Sequence, residues 1–270
     1  MRALLASPLG FLIGLSLGAL GGGGSILAVP ALVYAAGQSP KHATTTSLVL
    51  VALTALIGIV PHWRAGRVRV GAGMIFGLAG IGGSLLGSHW NRAANPDVLL
   101  LAFSGLMLVA AYGMWRRVTH APHEVPLGSV GAAAAPPVSP ESVQIDPMMI
   151  LRVIVAGTIV GLLTGFFGVG GGFVIVPALV LALGFTMPEA IGTSLLVITI
   201  NSAVALTTRL QAGAIEWGTV IPFTVASLLG VIVGSRLAHT RDSSSLQRWF
   251  VGLLVVVAVY TAARSGFALR

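Results

Sequence analysis

GALGGGGSILAVPALV, residues 18–33, returns as GFFGVGGGFVIVPALV, residues 165–180, with nine of sixteen positions identical. Pro30 and Pro177 set the offset at 147 (177 − 30), and it holds without a gap well beyond the quoted stretch. Thr46-Ser47-Leu48 falls on Thr193-Ser194-Leu195, Ala65-Gly66 on Ala212-Gly213, and Gly87-Ser88 on Gly234-Ser235. A repeat this long means two copies of one structural unit, each carrying a glycine run followed by a Val-Pro pair.

Composition identifies the solvent those units meet. The chain of 270 residues is 56% hydrophobic and 8% charged, against about 25% charged in soluble domains, and its mean hydropathy is +0.96. An all-α integral membrane protein is the expectation. Apolar segments at residues 4–36, 43–61, 68–90, 97–115, 148–184, 190–208, 216–237 and 246–264 are long enough to cross about 30 Å of hydrocarbon. They lack the alternation of barrel strands, and backbone in lipid must be bonded internally. Arg2 ahead of an apolar run admits a cleaved signal peptide. The repeat argues against it, since Gly14, Leu15 and Gly18 have counterparts at Gly161, Leu162 and Gly165 deep in the chain.

The expected organisation is a first membrane repeat at 1–118, a flexible linker at 119–147, rich in proline and small residues, and a second repeat at 148–270. Each half then holds four spans, about eight in all, and the repeats run parallel. Residues 4–36, about 50 Å as one continuous helix, must break at the glycine run. If each segment crosses once, ten basic residues (Arg2, Arg64, Arg67, Arg69, Arg116, Arg117, Arg152, Arg209, Arg264, Arg270) share one side against five. The positive-inside tendency then sets both termini and the linker in the cytoplasm of a bacterial inner membrane. Were the glycine run a turn at the far surface, each half would cross five times, the repeats would be inverted, and the basic residues would divide nine to six.

Duplication in a very apolar chain is a pattern of secondary transporters, which place substrate between repeats on broken helices. Glycine exposes backbone and proline frees a carbonyl one turn upstream. Where a half-helix begins after such a loop, its N–H groups and positive dipole end suit an anion. Close helix packing is the other use of glycine. It is the preferred reading for Gly14, Gly18, Gly83, Gly87, Gly157, Gly161, Gly230 and Gly234, which recur four apart. For Gly21, Gly23 and Gly24, and for Gly168, Gly170 and Gly171, substrate binding is preferred. Thr46, Ser47, Thr193, Ser194 and Asn201 add short hydroxyls and an amide at membrane depth; they read equally well as ligands or as groups bonded to their own helix.

Other chemistries find little support. Zero cysteines remove disulfides and thiol chemistry. GVGGG with Glu189 about 20 residues on matches a dinucleotide fingerprint, but its flanks are membrane-length apolar segments instead of a soluble strand and helix. No GxxxxGK phosphate loop, metal-ligand spacing or catalytic triad is legible, so no enzyme, metal or cofactor is expected. A formal charge of +8 is dispersed over short loops, which argues against nucleic acid. The expected partners are a small anionic substrate and the lipid bilayer, and the chain is compatible with a homo-oligomer. All seven acids sit at span ends or in loops, leaving no central carboxylate to carry a proton. Lys41, His42, His62, Arg64 and Arg209 lie near expected mouths of the bundle, where headgroup anchoring explains them best.

The doubled GxGGG, Val-Pro, Thr-Ser-Leu and Ala-Gly signatures resemble those of the TauE/SafE sulfite exporter family, also called the toluene-sulfonate uptake permeases. The resemblance covers nearly the whole chain apart from the linker. It implies a permease of about eight helices for small sulfur-containing or organic anions such as sulfite, sulfoacetate or sulfonates. The family motif falls on Gly21, Gly23, Gly24 and Pro30, on Gly168, Gly170, Gly171 and Pro177, and on Thr46-Ser47 and Thr193-Ser194. Gly22 and Ser25 depart from it, standing opposite Val169 and Gly172. Moving a monoanion outward across an inside-negative membrane gains roughly 2.3 kcal/mol per 100 mV, so export by alternating access is expected without a coupling ion. Uptake of sulfonates or carboxylates, a membrane scaffold and an intramembrane enzyme are the alternatives.

Overall fold

A computed structural model describes residues 7–34, 37–38, 40–91, 96–120, 147–167, 172–209 and 217–268. Among these the chain is helical: α1 Ser7–Leu20, α2 Gly23–Tyr34, α3 Pro40–Arg64, α4 Val70–Asn91, α5 Pro96–His120, α6 Pro147–Phe167, α7 Gly172–Leu181, α8 Met187–Arg209, α9 Trp217–Thr240 and α10 Ser243–Ala268. Adding 147 to the ends of α1 and α2 and to the starts of α3, α4 and α5 gives the corresponding boundaries of α6 to α10. The helices therefore form two sets of five. The expected linker, from 121 to 146, lies outside the described residues, and α5 runs two residues into its expected start.

Among the described residues, six helices, α3, α4, α6, α8, α9 and α10, hold windows long and apolar enough to cross a membrane. Their outward faces carry large apolar side chains such as Leu85, Leu86, Ile159, Leu229 and Val256, which suits hydrocarbon and not water.

The glycine run of the first repeat is a reversal, not an interruption in one helix. Gly21 takes φ +69, a left-handed conformation that costs glycine nothing, and its N–H donates to the Leu17 carbonyl at 2.9 Å, capping α1. The chain then turns back. A β-carbon on Gly24 would press on Ile13 and Leu17 of α1, so α1 and α2 form an antiparallel hairpin whose arms approach through bare glycine. At about 1.5 Å per residue, the 12 residues of α2 and 10 of α7 reach only about half of a 30 Å core.

Contacts also fix helix direction. Gly10, Gly14 and Gly18 of α1 press on Phe223, Ser227 and Val231 of α9, a register that advances in step, and Gly230 and Gly234 answer from α9 onto Phe11 and Leu15. These two helices are parallel. The same seam recurs between α4 and α6, where Gly157, Gly161 and Gly165 meet Phe76, Gly80 and Ser84. Each repeat's opening helix thus packs on the fourth helix of the other repeat, at a distance only glycine allows. Thr54 bonds Ser227 at 3.1 Å and Gly58 meets Val231, making α3 parallel to α9. Gly192 of α8 meets His62 of α3, and Gly58 of α3 meets Leu195 of α8, so α3 and α8 are antiparallel. Gln247 near the start of α10 donates to the Met114 carbonyl near the end of α5 at 2.9 Å, an antiparallel pair.

Corresponding helices of the two sets therefore point in opposite directions. The parallel arrangement of two four-span repeats is corrected to two inverted five-helix repeats, because the glycine run reverses the chain and adds an odd turn. The start of α1 and the end of α10 share one end of the bundle. The end of α5 and the start of α6, which flank the linker, lie at the other. Termini and linker cannot then both be cytoplasmic, which corrects that expectation as well.

Candidate functional site

The starts of α2 and α7 meet inside the bundle. A β-carbon on Gly22 would overlap the Gly172 carbonyl, and one on Gly172 would press on the Ser25 hydroxyl, the Gly22 carbonyl and Ile198. Gly21 lies against Ser194 Oγ and Ile191 of α8. Ser194 and Ile198 are seven and eleven residues into α8 (194 − 187, 198 − 187), about 10 and 16 Å along a helix of about 34 Å. The crossing is near mid-depth. Gly23 packs on Phe250 and Leu253 of α10, which closes it from the side.

The electrostatics follow from direction. From this crossing α2 runs toward the termini end and α7 toward the linker end, so their N-termini abut. Each carries roughly half a positive charge, and first-turn amides such as those of Gly23 and Gly24 have no carbonyl one turn earlier in their helix. Two positive dipole ends side by side at low dielectric repel unless a negative charge sits between or beside them. Pro30 and Pro177 lie inside α2 and α7.

The hydroxyls nearby are turned inward. Ser25 Oγ donates to the Gly22 carbonyl at 2.7 Å and Ser194 Oγ to the Ile191 carbonyl at 2.8 Å, while Ser194 is fully buried. In this state both protons satisfy helix backbone, leaving the glycine amides as the nearer donors. Thr193, also fully buried, accepts from the Arg69 N–H at 3.1 Å. Arg69 further reaches Glu189 Oε1 through Nη2 at 2.6 Å and Nε at 3.0 Å.

The structure thus brings Gly21 and Ser194 into contact at the crossing, with Gly23 and Gly24 on the same turn and Thr193 adjoining Ser194. Gly168, Gly170 and Gly171 lie outside the described residues. Thr46 and Ser47 are buried six and seven residues into α3, at the place in the first repeat that Thr193 and Ser194 hold in the second. Asn201 stands two turns beyond Ser194 on α8, facing Gly77 and Gly80 of α4, with a buried Oδ1 that has no hydrogen-bond partner. His42 and Arg64 are exposed at opposite ends. His62, expected near a mouth, is fully buried under the α3–α4 turn. The side chains of Lys41 and Arg209 lie outside the described set. The Gly22 to Gly172 contact and the Arg69 to Glu189 pair escape the sequence reading. Applying the repeat to Ser25 and Gly172, a position where the two copies differ, would have pointed to the first.

The model of the family described as sulfite exporter TauE/SafE matches residues 6–261. The chain belongs to the TauE/SafE family. A probable membrane transporter protein of Xylella fastidiosa (strain 9a5c) is 35% identical over 260 residues, covering 95% of this chain and 93% of that protein. The probable membrane transporter YunE of Bacillus subtilis is 23% identical over 264 residues, 95% and 92% of the two chains. YfcA of Escherichia coli K12, also named a probable membrane transporter, is 24% identical over 245 residues, 91% and 82%. No solved structure gives a significant match. This TauE/SafE protein is accordingly a multi-pass membrane transporter.

Proposed function

We propose that the chain is a secondary permease for small oxyanions, of the sulfite, sulfoacetate or sulfonate type, bound where the starts of α2 and α7 meet. The observation that carries this reading is the abutment of the α2 and α7 N-termini at Gly22 and Gly172, with no cationic side chain among the described residues nearest the two glycines. A tetrahedral or pyramidal oxyanion presents several acceptors at once and accepts amide N–H bonds from both termini, which a soft apolar ligand does not. Ser25, Ser194, Thr193 and their counterparts Thr46 and Ser47 line its route, and Asn201 offers a polar group further along α8.

Inverted repeats supply the two access states, since exchanging the conformations of two oppositely directed units opens the opposite face. Among the described residues, nine basic residues (Arg64, Arg67, Arg69, Arg116, Arg117, Arg152, Arg236, Arg241, Arg248) fall at the linker end against Lys41, Arg209 and Arg264 at the termini end. The positive-inside tendency then favours a cytoplasmic linker, with the termini outside the bacterial inner membrane. Export of a monoanion runs with the membrane potential and needs no coupling ion.

The test is counterflow of labelled sulfite in proteoliposomes holding the purified protein. Saturable exchange with sulfite or a sulfonate is expected. Its absence across sulfite, sulfonates and small carboxylates removes this function.

A further inference from the structure

The turn from α3 into α4, HWRAGRVR at 62–69, holds Arg64, Arg67 and Arg69 within six residues. Its counterpart 147 residues on, RLQAGAIE at 209–216, keeps the Ala-Gly pair but carries Gln211, Ala214 and Glu216 where the three arginines stand. Gly66, at φ +67, is what the turn itself requires, and the repeat retains it as Gly213. The arginines are an addition of the linker end.

Their partners differ. Arg69 donates through Nε and Nη2 to Glu189 Oε1 at 3.0 and 2.6 Å. Glu189 Oε2 accepts from Thr186 N at 3.1 Å and Thr186 Oγ1 at 3.0 Å, a capping box that fixes the carboxylate at the start of α8. Glu189 is thus neutralised by Arg69. Arg64 is exposed, while Arg67 is half-buried, with an enclosed Nη1 that has no acceptor among the described residues. A guanidinium drawn out of water without a counter-charge is costly. A phosphate, whose several oxygens match the guanidinium fork, supplies that charge.

The surface below the turn identifies the source of the phosphate. Leu53, Leu56, Ile57, Val60 and Trp63 are all exposed, and their three- and four-residue spacing makes one stripe of α3 that ends at Arg64. From Leu53 to Trp63 is about 15 Å of helix, the depth of one leaflet in a core of about 30 Å. Trp63 closes the stripe with a ring suited to the headgroup level. An apolar track one leaflet deep, capped by cations, matches an acyl chain and its headgroup; a free anion uses the cations alone.

We propose that the linker end of α3 is a binding site for an anionic phospholipid. The phosphate sits at Arg64 and Arg67, and an acyl chain lies along the Leu53 to Trp63 stripe. The site goes beyond the permease reading and does not depend on it.

The test titrates the purified protein in neutral detergent with phosphatidylglycerol, and in parallel with phosphatidylcholine and with inorganic phosphate, following the unfolding midpoint. Phosphatidylglycerol should raise the midpoint saturably. Phosphatidylcholine, whose ammonium offsets its phosphate, and inorganic phosphate should leave it in place at equal concentration. Arg67→Gln should raise the half-saturating concentration about fivefold, the scale of one arginine at an anionic surface. Arg248→Gln, an exposed arginine at the same end of the bundle, should not. Phosphatidylglycerol with brominated acyl chains should quench tryptophan fluorescence saturably, and Trp63→Phe should remove that saturable part. An equal shift with phosphatidylcholine or inorganic phosphate, equal weakening by Arg67→Gln and Arg248→Gln, or saturable quenching retained in Trp63→Phe overturns the site. Should Arg67→Gln fail to fold, Arg64→Gln, at an exposed position, decides in its stead.

Discussion

Gly22 and Gly172 touch backbone to backbone where α2 and α7 begin: a β-carbon on Gly22 would overlap the Gly172 carbonyl, and one on Gly172 would run into the Ser25 hydroxyl beside the Gly22 carbonyl. The contact joins the repeats at the point where two half-helices begin. Packing and electrostatics therefore meet in one pair of residues.

Gly22→Ala should separate the two helix starts, destabilise the protein by about 1–3 kcal/mol as overpacking does, and abolish flux. Gly82→Ala is the matched control. Nothing lies within 4 Å of a β-carbon there, and alanine favours helix over glycine by up to about 1 kcal/mol. Thermal unfolding in detergent together with sulfite counterflow checks both. Normal flux in Gly22→Ala would reduce the crossing to a packing contact.

Ser25→Ala and Ser194→Ala remove hydroxyls already bonded to their own helices. With the glycine amides as principal donors, each should raise the KM for sulfite only about fivefold, the equivalent of one hydrogen bond of about 1 kcal/mol, without loss of fold. Complete loss of flux in either variant, with folding intact, would transfer the anion from the amides to the hydroxyls.

The inverted arrangement has a covalent readout. Thr54 and Ser227 hydroxyls lie 3.1 Å apart, within reach of a disulfide's geometry, so Thr54→Cys with Ser227→Cys should crosslink under mild oxidation. A band of unchanged mobility after protease cleavage between α3 and α9 reports the bond. Failure to crosslink would contradict the Thr54 to Ser227 contact, one of the two that together set α3 parallel to α9.

Thr186→Ala removes the hydroxyl of the α8 capping box. The expected loss is about 0.5–2 kcal/mol, seen as a lowered unfolding midpoint. Flux should survive, since Thr186 is exposed and two turns from Ser194.

Transport of a monoanion should carry current. Imposing an inside-negative potential on loaded proteoliposomes should accelerate sulfite exit, with an equilibrium bias of roughly 2.3 kcal/mol per 100 mV. Exit insensitive to the potential would require a compensating cation or proton and would overturn uncoupled export.

By itself the sequence determined the membrane, the helices and the duplication, because each is written in local composition or in self-similarity, and its motifs resembled those of the family. Hydropathy marks a helix without knowing its neighbour, and the repeat of Pro30 at Pro177 is visible at any distance. It also marked the glycine runs as the places where helix would break, since glycine's conformational freedom belongs to the residue. The direction of the chain after each break was decided only by tertiary structure. A left-handed Gly21 is compatible with a kink or a full reversal, and the choice was made by Gly24 seating on Ile13 and Leu17. That one reversal turned four spans into five helices and parallel repeats into inverted ones. The pairing of Gly22 with Gly172, and of Arg69 with Glu189, likewise depends on which helices lie side by side. Such contacts between distant residues leave no local trace in a single chain, so their geometry is a property of the packed bundle.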